Sequence, residues 1–166
     1  ALLGERPLHW GERGPIASLI AMALGLLLVV VLHARVALRP AFAAWDLGEL
    51  GRLLLVDLTG FLPFFAAGLA IGQVFARWPN YSGRVYAANL FGSGTGSVAA
   101  SGLLAYLPTV TALAGVALTL PLLGLALAAA RRLNGAAAAC MAVVALTLPA
   151  LIWTPAPAIS DFKALA

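Results

Sequence analysis

The chain has 166 residues, 63% of them hydrophobic and 10% charged, with a mean hydropathy of +1.01, whereas ordinary soluble domains carry about 25% charge. That composition places it in the membrane class before any motif is read. The net charge of +4 comes from cations between apolar blocks rather than from a basic tract, which argues against a nucleic-acid partner.

Residues 1–14 read as a loop or helix end, too polar for the apolar region of a signal peptide. A spanning helix needs about 20 mostly apolar residues, because the hydrocarbon core is about 30 Å thick and lipid satisfies no exposed backbone group. The first span is expected over 15–34, with Pro15 suited to the first turn. Residues 41–52 carry Phe42 and Trp45 beside Asp46, Glu49 and Arg52, a pattern that suggests an interfacial helix whose acids lie on a solvated face. The second span is expected over 53–77, with a start as early as Leu47 also compatible, and Pro63 is expected to bend it.

From Val85 to Ala130 no Asp, Glu, Lys or Arg occurs, too long a run for one crossing, and Tyr106-Leu107-Pro108-Thr109 divides it into spans 85–106 and 109–130. Asn134-Gly135 is expected to turn the chain into a fifth span, 136–153, with the single Cys140 as a bland buried thiol. Prolines at 155 and 157 make 154–166 an extended linker. The first residue is Ala rather than Met, so the sequence reads as a piece of a longer protein. The fold class is therefore all-α: a polytopic transmembrane bundle of about five spans and a candidate interfacial helix. Trp45, Trp78, Tyr106 and Trp153 fall near span ends, as an aromatic belt would place them, and His33 reads as interfacial.

Arg77, Arg84, Arg131 and Arg132 set orientation. With the N-terminal arginines they put six cations on one side against four on the other, so the rule that positive loops stay inside favours an internal N-terminus. Five crossings then carry the C-terminal linker outside.

The stretch FGSGTGS, 91–97, imitates the glycine turn of a nucleotide site and the first motif of S-adenosylmethionine-dependent methyltransferases. Such a site takes an acid about 20 residues on to hold the ribose, yet no acid occurs between Asp57 and Asp161. On a helix the same residues form two rows. Ala88, Gly92, Gly96 and Ala100 make a small-residue seam for close helix approach, with Gly68 and Gly72 as a matching pair on the preceding helix, so these two helices are expected to pack as antiparallel neighbours. Asn89, Ser93, Ser97 and Ser101, with Tyr86 a turn earlier, make a polar ribbon. The ribbon reads either as hydrogen bonding within and between helices or as a surface for a small polar solute. Tyr86, Asn89, Ser93 and Ser97 are then the candidate binding residues, joined by Asp57 because a carboxylate inside a span is costly. Asp57 also fits an interfacial position, paired with Arg52. The sequence offers no metal-ligand spacing, no nucleophile with its base and no paired carboxylates, so neither catalytic residues nor a cofactor are expected in it.

Residues 62–100, LPFFAAGLAIGQVFARWPNYSGRVYAANLFGSGTGSVAA, resemble the membrane region of spermidine synthase-like integral membrane proteins. Leu62, Pro63, Phe64, Phe65, Gly68, Leu69, Ala70, Arg84, Tyr86, Ala87, Ala88, Leu90, Gly92 and Gly96 carry the likeness. Asn89 departs from it, since the family usually has Asp there, and the ending ISDFKALA is similar to the segment before the family's synthase domain. The resemblance implies a bacterial inner-membrane anchor, itself without catalysis, joined to an aminopropyltransferase-like domain beyond Ala166 that uses a decarboxylated S-adenosylmethionine-type donor. It also implies a candidate conduit for a polyamine or other small polar solute. Its expected partners are the lipid bilayer and further transmembrane helices. Two other readings stand beside it: half of a secondary transporter that assembles through small-residue seams, and a purely structural membrane subunit.

Overall fold

The computed structural model describes residues 13–36, 39 and 45–152, and it is all-helical over them. Residues 1–12 of the expected loop or helix end 1–14, the linker 154–166, Trp153 and the His33 side chain lie outside the described residues. Five helices follow one another: α1 (Gly14–Arg35), α2 (Leu47–Arg77), α3 (Ser82–Tyr106), α4 (Thr109–Ala130) and α5 (Asn134–Ile152), with a 3-10 turn at Pro79–Tyr81 between α2 and α3.

The expected interfacial helix is, from residue 47 onward, the first part of α2. Asp46 caps that helix: its Oδ1 accepts from the Gly48 N–H at 2.7 Å, and Glu49 adds a second negative charge at the positive end of the helix dipole. Pro63 removes one donor from the ladder, yet the helix continues through it, so α2 runs for 31 residues, or about 46 Å at 1.5 Å per residue. The second difference is the turn before α5. Leu133 N–H donates to Ala128 O at 2.9 Å and Arg132 N–H to Ala129 O at 3.1 Å. This double closure, with Arg132 in the left-handed region at φ 55°, ends α4. Asn134 and Gly135 are consequently the first residues of α5 rather than the turn.

α1 is the hub: α2 and α4 each pack along it, and α5 packs on α4 and more lightly on α1. Contacts fix the directions. Gln73 of α2 meets Ser18 of α1, and Gly25 lies against Pro63, so the two helices are antiparallel. Ile16 at the start of α1 clusters with Ala128 at the end of α4 and Cys140 near the start of α5. One end of the bundle, here the arginine end, therefore gathers Arg13, Arg77, Arg84, Arg131 and Arg132. The opposite end holds Arg35, Arg39, Asp46, Glu49 and Arg52.

The buried residues trace narrow seams. On α2 they are Glu49, Val56, Thr59, Pro63 and Ala66, and on α4 Ala112, Ala114, Ala117, Pro121, Gly124 and Ala128; from Val56 and from Ala114 onward they alternate steps of three and four, which puts them on one stripe of each helix. Apart from Val56 and the two prolines, these buried groups are small or polar. The large apolar residues point outward instead, among them Leu58, Phe61, Phe64 and Phe65 of α2 and Leu122 and Leu123 of α4. Close approach is made where a side chain would collide: a Cβ on Gly25 would sit 3.1 Å from Pro63 Cδ, and one on Gly124 would sit 3.0 Å from Cys140 Sγ.

α3 differs from the rest. No residue in it is buried, and it barely touches α2 and α4, the helices it joins. The antiparallel α2–α3 seam expected from the glycines is not made within this chain: nothing lies within 4 Å of a Cβ placed on Gly68, Gly72, Gly92 or Gly96. The reason is geometric. α2 ends at the arginine end and α4 begins at the other, on a different flank of α1. A helix that must link those two points, about 37 Å long for its 25 residues, leaves α2 instead of doubling back along it.

Candidate functional site

Where α3 departs from α2 it leaves a cleft of about 370 Å³, lined by Pro15 and Leu19 of α1, Ala70, Ile71 and Val74 of α2, and Val85, Ala88 and Asn89 of α3. Its volume lies within the usual range of ligand pockets, roughly 300–1,000 Å³. The walls are aliphatic, and Asn89 is their polar member. No hydrogen bond within the described chain engages the Asn89 amide.

Of the five candidate solute residues, the cleft takes only Asn89. Tyr86, Ser93 and Ser97 are on the exposed sides of α3. Two hydroxyls of the ribbon are satisfied locally: Ser97 Oγ donates to Ser93 O at 2.9 Å and Ser101 Oγ to Ser97 O at 3.0 Å, the back-bonding that lets serine sit in an apolar helix. The small-residue row Ala88, Gly92, Gly96 and Ala100 is likewise on the outside.

Asp57 stands apart from all of these. It is exposed on α2, 20 residues before Arg77, or about 30 Å along the helix. If the arginine end marks one membrane boundary, Asp57 reaches the other, since that span matches the hydrocarbon thickness. The expected partner is not there: Arg52 Nη1 instead donates to Glu49 Oε1 at 2.5 Å.

Two polar groups inside the bundle escaped the sequence reading. Glu49 is buried rather than solvated, and its second oxygen accepts the Arg39 backbone N–H at 3.2 Å, which ties the segment after α1 to the start of α2. Gln73 Nε2 donates to the buried Ser18 Oγ at 3.2 Å, while Gln73 Oε1 is buried without a partner among the described residues. A signal for both existed. Counted in sevens from Glu49, the positions 49, 56, 63 and 70, together with 59, 66 and 73, fall on the seam that meets α1.

Arg77, Arg84, Arg131 and Arg132 are all exposed at the arginine end. The Arg77 guanidinium lies 5.5 Å from the Trp78 ring and that of Arg84 5.8 Å from the Tyr81 ring. Among the described residues no three His, Cys, Asp or Glu side chains come together to hold a metal ion.

These features define a class. α1, α2 and α4 are long and apolar enough to cross a membrane, and the molecule is an all-α helical bundle of the membrane type. No protein-family profile, curated protein or solved structure matches the chain.

Proposed function

We propose that this chain is a membrane-embedded anchoring module, and, on the likeness of residues 62–100, the membrane region of a spermidine synthase-like fusion protein. The observation that supports anchoring is the reversed packing. Mostly small and polar groups, with a few β-branched residues such as Ile16 and Val56, fill the seams while Phe61, Phe64, Phe65, Leu122 and Leu123 face outward, the arrangement suited to a solvent as apolar as the side chains themselves. α3 is less apolar than its neighbours, but its two ends lie at opposite ends of the bundle, so it crosses the same slab. Back-bonded serines make that crossing affordable. Among the described residues, five arginines at the arginine end against three at the other orient that end toward the cytoplasm.

The test is fractionation. Expressed in bacteria, the chain is expected in the membrane pellet after alkaline carbonate extraction. Recovery as a soluble monomer without detergent defeats the reading.

A conduit for a polyamine is the second reading, and Asn89 in the cleft is the observation on its side. Charge stands against it, because a polycation entering from the arginine end meets Arg77 and Arg84 with no acid between Asp57 and Asp161 to receive it. Spermidine uptake into proteoliposomes that falls in the Asn89→Ala and Asp57→Asn variants would support the conduit, and absence of uptake in the parent chain rules it out.

A further inference from the structure

We propose that the cleft between α1, α2 and α3 is a binding site for an anionic phospholipid, which lays one acyl chain along the aliphatic walls and sets its phosphate at Arg77 and Arg84. The inference rests on the membrane reading above. A slot that opens toward lipid does not stay empty, since its lining would lose dispersion contacts on one side, so the question is what selects the occupant. The walls, Leu19, Ala70, Ile71, Val74, Val85 and Ala88, accept any hydrocarbon chain and carry no selectivity.

Selection comes from the end of the slot. Arg77 follows Val74 by three residues on α2, and Arg84 precedes Ala88 by four on α3, so each arginine shares a helix face with a wall residue, one turn nearer the membrane boundary. Both guanidinium groups lie beside exposed aromatic rings of the turn, Trp78 and Tyr81, at the level where an aromatic belt meets the headgroups. Arg131 and Arg132 add positive charge at the same end. Basic pockets between membrane helices on the positive side are where anionic headgroups bind. Asn89, one turn deeper than Val85, offers its amide to the ester region of the same lipid.

The main competitor is a second copy of this chain. Ala88 lines the cleft and also begins the small-residue row, so a helix docked on that row would close the slot.

Native mass spectrometry of the protein in mild detergent, with phosphatidylglycerol or phosphatidylcholine added, separates the two. One phosphatidylglycerol per chain is expected to be retained, preferred over phosphatidylcholine by about tenfold or more, at roughly fivefold for each arginine near the surface. The double variant Arg77→Gln, Arg84→Gln should bring the two lipids to near parity. Ala88→Leu, which adds bulk at a residue on the outside of the bundle, should lower retention of both. Equal retention by the parent chain, a preference unchanged in the arginine variant, or a lipid-free dimer that Ala88→Leu turns monomeric each overturns the proposal. A chain that needs detergent yet does not discriminate between the lipids loses only this inference, whereas one that stays soluble without detergent loses the membrane reading first.

Discussion

The same device, a glycine facing a neighbouring helix, is used at the seams that α1 and α4 make and left open all along α3. Gly25 of α1 and Gly124 of α4 have neighbours so near that a Cβ would stand 3.0–3.1 Å from them. Along α3, Gly92, Gly94 and Gly96 have none within 4 Å. A small residue therefore permits close approach but does not cause it. What brings helices together is the stripe in which the glycine sits, and in α1 and α2 that stripe continues through Ser18, Pro63, Ala66 and Gln73.

The contrast is sharpest under substitution. Gly25→Leu is expected to cost about 1–3 kcal/mol through overpacking against Pro63, read as a lower midpoint when the protein in micelles is titrated with a denaturing detergent. Gly92→Leu is expected to stay within about 0.5 kcal/mol, the range of an uncovered position. Equal losses at the two sites would mean that α3 is covered after all.

A second prediction concerns the end of the hub seam. Glu49 accepts from both Arg52 and the Arg39 backbone while itself buried. Glu49→Ala should therefore cost about 1.5–3 kcal/mol, the worth of a hydrogen bond to a charged group, in the same titration. Asp57→Ala, on the same helix but exposed and without a partner among the described residues, should leave the midpoint in place. If Glu49→Ala is as silent as Asp57→Ala, the tie between α1 and α2 is not a structural one.

Arg132 supplies a change of the opposite sign. Its φ of 55° costs an L side chain about 1–2 kcal/mol that glycine does not incur. Arg132→Gly should raise the midpoint by about 1 kcal/mol while keeping the closure between Leu133 and Ala128. A loss of stability would show that the Arg132 side chain holds the α4–α5 turn by some other contact.

The helices were legible in the sequence because lipid imposes a length and forbids charge. The span 109–130 and the ends at 77 and 106 fall to the residue, and the other ends shift by one to six positions. Caps decide those shifts: Asp46 starts α2 early, and the left-handed Arg132 moves the last turn back from Asn134-Gly135. Which helices touch was less legible. Gly68, Gly72, Gly92 and Gly96 satisfy the small-residue spacing perfectly well, yet spacing records only that a face can be approached. The partner depends on where each helix must begin and end, and for α3 that was set by α2 and α4 lying on separate flanks of α1. The polar members of the true seam were hidden by an opposite bias, since Glu49 looks solvated when read alone. Only the sevenfold count along α2 places it in line with Pro63 and Ala70.

The smallest effects test whether hydroxyls in the two regions differ as their glycines do. Ser18 is buried and accepts from Gln73 across the α1–α2 seam, while Ser97 donates only to the carbonyl of Ser93 in its own helix. Ser18→Ala removes a link between helices, worth about 0.6 kcal/mol on the average for membrane proteins, and leaves the Gln73 amide, already short of one partner at Oε1, without the other. Ser97→Ala removes no link, and because serine bonded back to its own backbone slightly weakens a helix, its expected effect is zero or a small gain. A double variant of Ser18 and Gln73 should cost less than the two single changes summed, since both remove the same bond. Strict additivity there would mean that the 3.2 Å contact carries no energy, and that the packing of α1 on α2 owes nothing to it.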